Sequence, residues 1–167
     1  MDAIDCIKTR RSFRSFQDKP VPRELVMEVL DCARHAPSSM NSQPCQFIVI
    51  TDRKQKEALA ALKKIHPSPW LVDAPVVIGV CVDINKSRTR WIEDGAVAAE
   101  NILLAANALG LGACWVAMRY EDTSINARIQ QALGAGSNMY PLCVVAMGYP
   151  AGEPEPHELR DLHSMVR

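Results

Sequence analysis

The chain has 167 residues, 48% of them apolar, and its 19 basic and 19 acidic side chains leave no net charge. That is the length and composition of one globular domain, 1–167, able to bury a core without disulfides or metals. The charge balance argues against nucleic-acid or membrane-surface binding, because neither has the long-range field it would need.

From the N-terminus, residues 2–9 place Ile4 and Ile7 on one side of a short helix. IKTRRSFRSF (7–16) then sets Arg10, Arg11, Ser12, Arg14 and Ser15 almost side by side. Guanidinium groups this close repel one another unless an anion sits among them, so the cluster suits either an anionic ligand or a solvated surface. PRELVMEVLDCARHA (22–36) is a stronger helix, with Leu25, Val26, Val29, Leu30 and Ala33 at helical spacing. Pro22 suits its first position, Pro37 ends it, and His35 is placed to cap its C-terminal end. QFIVIT (46–51) reads as a buried strand. Thr51 is placed to cap DRKQKEALAALKKI (52–65), whose stripe is Ala58, Leu59, Leu62 and Ile65.

HPSP (66–69) breaks the pattern, and PVVIGVCVD (75–83) is apolar throughout, as a strand covered on both faces must be. WIEDGAVAAENILLAANAL (91–109) is apolar almost all round, the pattern of a central buried helix, with Gly110 suited to end it in a left-handed turn. ACWVAM (113–118), INARIQQAL (125–133) and PLCVVAMGY (141–149) follow as strand, helix and strand, before a proline-rich tail with helix-compatible residues at its end. The sum is an α+β or α/β domain whose helices sandwich a sheet of about four strands. Neither Gly110–Gly112 nor Gly134–Gly136 follows a strand, so neither forms a dinucleotide-binding turn.

The cysteines, at 6, 32, 45, 81, 114 and 143, include no C-x-x-C pair, which argues against zinc and iron–sulfur sites. Asp2 and Asp5 interrupt the N-terminus, no apolar signal region follows, and no apolar stretch suits a membrane span. The reading is a cytoplasmic protein with reduced, mostly buried thiols. The second polar segment, APSSMNSQPCQF (36–47), holds neutral hydrogen-bonding groups between two stiffening prolines. Such a loop suits either the edge of a planar heterocycle or a solvated turn.

Taken together and in order, these segments resemble the FMN-dependent nitroreductase family. RRSFRSF is similar to its opening arginine–serine motif, APSSMNSQPCQF to its A-P-S-x-x-N-x-Q-P-W-x-F loop, EDGAVAAENILLAANALGLGACWV to its central helix and following strand, and PLCVVAMGYP to its last strand. The resemblance implies an α+β nitroreductase-like fold, a mainly antiparallel sheet between helices, in an intertwined homodimer with FMN at the interface. It implies that Arg10 meets the FMN phosphate, Ser12 the ribityl or phosphate oxygens, and Arg14 the N1 and O2 side of the ring. Arg11 would be a second FMN contact, and Ser38, Ser39 and Asn41 would come from the partner subunit. Trp115, Val116, Ala117 and Met118 would lie along the ring with backbone N–H groups near N5 and O4, and Arg160 would close over the phosphate.

These roles make chemical sense. A phosphate monoester suits the arginine fork, and a cation held at N1–O2 stabilises the anion formed on reduction and raises the two-electron potential. The activity implied is ping-pong hydride transfer from NAD(P)H through flavin N5 to a nitroaromatic, quinone or similar acceptor, with no catalytic side chain assigned. A non-catalytic flavin-binding or electron-carrier protein of the same fold is the alternative. Three departures from the family pattern stand out: Cys45 replaces a tryptophan, Ala117 and Met118 replace small or acidic residues, and the chain is short around 66–90.

Overall fold

The computed structural model describes residues 1–63, 67–154 and 158–166; Ile65, His66 and His157 lie outside the described residues. Helices and strands alternate as α1 (Ala3–Thr9), α2 (Arg23–Arg34), β1 (Cys45–Ile50), α3 (Arg53–Leu62), β2 (Val76–Asp83), α4 (Trp91–Ala108), β3 (Gly112–Ala117), α5 (Thr123–Leu133) and β4 (Met139–Gly148). Single 3-10 turns occur at Ser39–Asn41, Pro69–Leu71 and Leu162–Met165, the last being all the helix the described tail contains.

Aspartates start three of the helices. The side chain of Asp2 accepts the N–H of Asp5, Asp52 that of Gln55, and Asp122 that of Ser124. α3 is therefore capped by Asp52 rather than Thr51, because a carboxylate both fills an orphan donor and meets the positive end of the helix. Pro22 stands just outside α2 with φ −54° and ψ 142°, so its fixed φ shapes the entry to the helix and not its first turn. Gly110, at φ +74°, and Gly134, at φ +70°, are the left-handed stops after α4 and α5.

The strands form one antiparallel sheet in the order β1-β2-β4-β3. Side chains alternate across it. Val76, Ile78 and Val80 of β2, with Val145 and Met147 of β4, face α2 and α4 through Val26, Val29, Ala99 and Ile102. Val77 and Cys81, with Val144 and Ala146, face α3 and α5 through Leu59, Leu62, Ile129 and Leu133. The fold is α+β, helices on both faces of the sheet. No described helix is long and apolar enough to cross a membrane.

Two contacts bring polar chain to this frame. A Cβ at Gly95 would lie 2.6 Å from Leu142 Cδ2 and 2.8 Å from Val82 Cγ2, so the first turns of α4 rest directly on the sheet. Segment 10–17 runs along the β3 edge, bridging Ser12 to Ala113 and Phe16 to Pro150.

Candidate active site

α1 ends at Arg10, and the chain beyond it is held by its backbone. The N–H of Phe13 donates to the carbonyl of Ala113 at 3.0 Å, that of Gln17 to Tyr149 at 2.9 Å, and that of Ala151 to Ser15 at 3.1 Å. The rings of Phe13 and Phe16 occupy the spaces left by two glycines. A Cβ at Gly112 would lie 2.8 Å from Phe13 Cγ, and one at Gly148 would lie 2.6 Å from Pro75 Cδ and 3.1 Å from Phe16 Cδ1, so Phe16 shares that space with Pro75. With the backbone fixed, Ser12, Phe13, Arg14 and Ser15 wall a cleft of about 220 Å³ against Ala151, Gly152, Glu153 and Pro154.

The arginines differ in what they do. Arg10 places Nε 3.6 Å from Glu100 on α4, a pair half-buried on the arginine side and exposed on the glutamate side. Arg11 turns back, donating through Nη1 to the carbonyls of Lys8 and Arg10 at 2.9 Å each and closing the C-terminal end of α1. Arg14 lines the cleft. Arg160 is exposed on the tail and outside that cleft.

β3 presents an open edge beside this segment. Its partner β4 receives the N–H of Met118, which donates to Leu142 at 3.0 Å, while the carbonyl of Ala113 serves Phe13 on the other side. Successive residues of a strand point their peptide groups to opposite sides. Val116 and Met118 therefore bond inward, and the N–H groups of Trp115 and Ala117 face the open edge. Trp115 packs half-buried against the α4 side of the core, and the side chain of Met118 is fully buried.

The second polar segment is held differently. Met40, Asn41 and Gln43 have φ of +52°, +54° and +46°. Left-handed backbone costs a residue with a Cβ about 1–2 kcal/mol, and only asparagine of these three adopts it readily. The loop partly compensates with its own bonds: Gln43 N–H donates to Ser38 Oγ at 3.0 Å, and Gln43 Nε2 to Asn41 Oδ1 at 3.2 Å. Its tie to the scaffold is the N–H of Ser39, which donates to Asp94 Oδ1 at 2.9 Å. Asp94 is buried in the first turn of α4, and its Oδ2 accepts the hydroxyl of Ser87 at 2.6 Å. The hydroxyl of Ser42 is buried with no partner among the described residues.

Behind the loop is a cavity of about 160 Å³, walled in part by Ala33, Pro37, Pro44, Phe47 and Ala98 and bordered by Cys45. The Cys45 thiol lies 3.6 Å from the Asp94 carbonyl, to which it donates, and burial followed by the Asp94 charge pushes its pKa up to about 11. Burial, with a smaller effect of Cys45, pushes Cys81 up to about 12, and burial also raises Cys143 well above the ordinary thiol value. These are protonated thiols near neutral pH, unsuited to nucleophilic chemistry.

A sheet between helix layers, an arginine-bearing segment on one strand edge and a stiff loop beneath the central helix form a recognisable combination. A model of the Nitroreductase family matches residues 7–149. The chain belongs to that family. A Methanothermobacter thermautotrophicus protein named "Putative NADH dehydrogenase/NAD(P)H nitroreductase" is 39% identical over 164 residues, covering 96% of this chain and 84% of that protein. The Bacillus subtilis protein named FMN reductase [NAD(P)H] is 26% identical, over 90% of this chain and 66% of its own. A Desulfovibrio desulfuricans chain solved in complex with FMN superposes with a TM-score of 0.86 at 30% identity, covering 99% of this chain and 96% of that one.

Within this nitroreductase-family chain the expected site residues fall into two groups. Ser12 and Arg14 share a cleft beside the β3 edge, with Arg10 and Arg11 at the end of α1. Ser38 borders the other cavity, with Ser39 and Asn41 in the same loop, and the two spaces have no lining residue in common. Sequence reasoning passed over Asp94 and Ser87. Their signal was present: Asp94, Ala98, Ile102 and Ala106 are spaced four apart on the buried stripe of α4, so an acid sits where only core belongs.

Proposed function

We propose that this chain is an FMN-dependent NAD(P)H oxidoreductase, working as a homodimer whose FMN sites are each built from both subunits. The observation that carries the reading is the donor set along the β3 edge. Ser12 and Arg14 line one cleft with Glu153 beside the β3 edge, Arg10 stands at the end of α1 beside Glu100, and the outward N–H groups of Trp115 and Ala117 lie further along the same strand. This set fits FMN, whose phosphate carries nearly two charges and whose ring offers acceptors along one edge.

Arg10, Arg11 and Ser12 would hold the phosphate and ribityl oxygens, Arg14 the N1–O2 side, and the strand 115–118 the N5–O4 side. Ser38, Ser39 and Asn41 would be supplied by the partner subunit, and Arg160 would close over the phosphate from the tail. The separation of the two groups within one chain supports shared sites. So does an apolar groove lined by Met1, Ile7, Leu104 and Ala108, next to an α1 on which Ile4 and Ile7 are 59% and 58% exposed.

Bound there, FMN would supply hydride acceptance from NAD(P)H and two-electron delivery to a nitroaromatic, quinone or similar acceptor in ping-pong order. The protein binds and orients, and Arg14 offsets the negative charge that gathers at N1–O2. No side chain is assigned as acid or base.

The test is an absorption spectrum after adding FMN and desalting. The wild-type protein retains one equivalent of flavin and Arg10→Ala loses it; a colourless wild-type protein overturns the reading. Turnover of NAD(P)H with an added quinone separates an oxidoreductase from a passive flavin carrier.

A further inference from the structure

Among the described residues, one hydrogen bond leaves the segment 38–43 for the rest of the chain, from the N–H of Ser39 to Asp94 Oδ1. The segment has good reason to leave that position, since Met40 and Gln43 are held left-handed without glycine's freedom. Asp94 itself is firmly placed. It is 5% exposed, one residue before the glycine that seats α4 on the sheet, and in the first turn, where the helix end favours an anion. Neither of its oxygens caps α4: one takes the Ser87 hydroxyl and the other the Ser39 amide. A buried carboxylate with both oxygens spent on segments outside its own helix is a clamp, and the segment it clamps is the loop 38–43.

We infer that Asp94, itself held by Ser87, is a positioning residue for the cofactor site: through the Ser39 amide it fixes the backbone that presents Ser38, Ser39 and Asn41. The inference rests on the FMN reading above. Asp94 touches no cofactor in this scheme and acts only through the loop, so it influences the site that this loop completes on the partner subunit. The clamp is a hydrogen bond and not a charge effect, so a neutral acceptor of the same shape replaces it. In Asp94→Asn the amide oxygen still receives Ser39, and the amide N–H₂ donates to Ser87, whose hydroxyl turns to accept it.

The experiment is FMN titration by quenching of flavin fluorescence, run with hydrogen exchange at residues 39–43, on the wild-type chain and three variants. Asp94→Ala weakens FMN binding about tenfold, the upper range for one lost hydrogen bond, and speeds exchange at Ser39 while the sheet stays protected. Asp94→Asn stays within about twofold of wild type, well short of the loss in Asp94→Ala. Ser87→Ala, which removes only the support, falls between them and keeps the test alive if Asp94→Ala does not fold. Wild-type affinity in both Ser87→Ala and Asp94→Ala overturns the inference and leaves the FMN reading standing. An Asn variant as weak as the Ala variant also overturns it, because charge and not the hydrogen bond would then be responsible. A wild-type chain that binds no FMN overturns both, and unchanged exchange at Ser39 in Asp94→Ala overturns the clamp whatever FMN does.

Discussion

Segments 10–17 and 37–44 are both irregular, both polar and both rich in serine, yet they are secured by opposite means. The first is fixed by backbone hydrogen bonds to Ala113 and Tyr149 and by two phenylalanine rings seated on Gly112 and Gly148. Its arginines form contacts of their own, Arg10 with Glu100 and Arg11 with the carbonyls of Lys8 and Arg10, so they are not what ties the segment to the β3 edge. The second is fixed by polar side chains themselves, Ser38 and Asp94, against a backbone under strain. The difference teaches where substitutions should hurt. In the first segment shape matters for folding and charge for binding; in the second the same polar atoms serve both.

The largest effect should come from spoiling the shape. Gly112→Val puts a Cβ 2.8 Å from Phe13 Cγ and 2.9 Å from Phe13 Cβ, too near the backbone for the ring to swing clear. Urea unfolding should show a loss of about 3 kcal/mol, the upper range for overpacking, with segment 10–17 released from the β3 edge. A loss below about 1 kcal/mol would mean the first segment is not held by shape at all.

The next effect tests the ground beneath the second segment. Cys45 and Cys81 are held near 11 and 12 in the folded chain against 9.0 for an ordinary thiol. Between pH 9.0 and about 11–12 the unfolded chain gives up these protons while the folded chain keeps them. Stability is thus intact below pH 9.0 and falls as pH rises through that window, by on the order of 2 kcal/mol for Cys45. Unfolding free energies measured from pH 8 to pH 11 should show the fall in wild type and a shallower one in Cys45→Ala (about 1.4 kcal/mol per pH unit per thiol). Parallel slopes would remove the buried thiol from under the loop.

The arginines provide the sharpest contrast. Arg10→Ala should weaken FMN binding about 10- to 100-fold, the range for a charge-assisted hydrogen bond to phosphate. It should cost no more than about 1 kcal/mol in unfolding, because the pair with Glu100 is open to solvent on the glutamate side. If stability fell with affinity, the division between shape and charge in this segment would collapse.

Much of this was legible in the sequence. β2 and α4 announced themselves through a continuous apolar run and an apolar helix, and the two polar segments stood out against a neutral chain. What misled was local competition. Thr51 and Asp52 both suit an N-cap, and the carboxylate takes the position because it also meets the helix end. Pairing set the rest: the N–H of Met118 is spent on Leu142, a fact of register that no residue pattern carries. Asp94 was hidden by its surroundings, since a helix apolar almost all round invites no search for a buried acid. The left-handed loop was least readable, because methionine and glutamine at +52° and +46° are residues that local preference places elsewhere.

That last mismatch yields the smallest and most discriminating effect. Met40 is 98% exposed at φ +52°, so replacing it removes no packing and relieves only the backbone. Met40→Gly gains about 1–2 kcal/mol from the left-handed conformation and gives back about 0.5–1 kcal/mol in unfolded-state freedom. The net expectation is a stabilisation of about 0.5 kcal/mol in urea unfolding. Its value lies in combination. If Asp94 restrains a backbone that strain is pulling away, Met40→Gly should recover part of the FMN affinity lost in Asp94→Ala and little in wild type. Such non-additivity is expected of groups that share one structural element. Additive effects would mean that strain and clamp act on the loop independently, and the second segment would then resemble the first more closely than its geometry suggests.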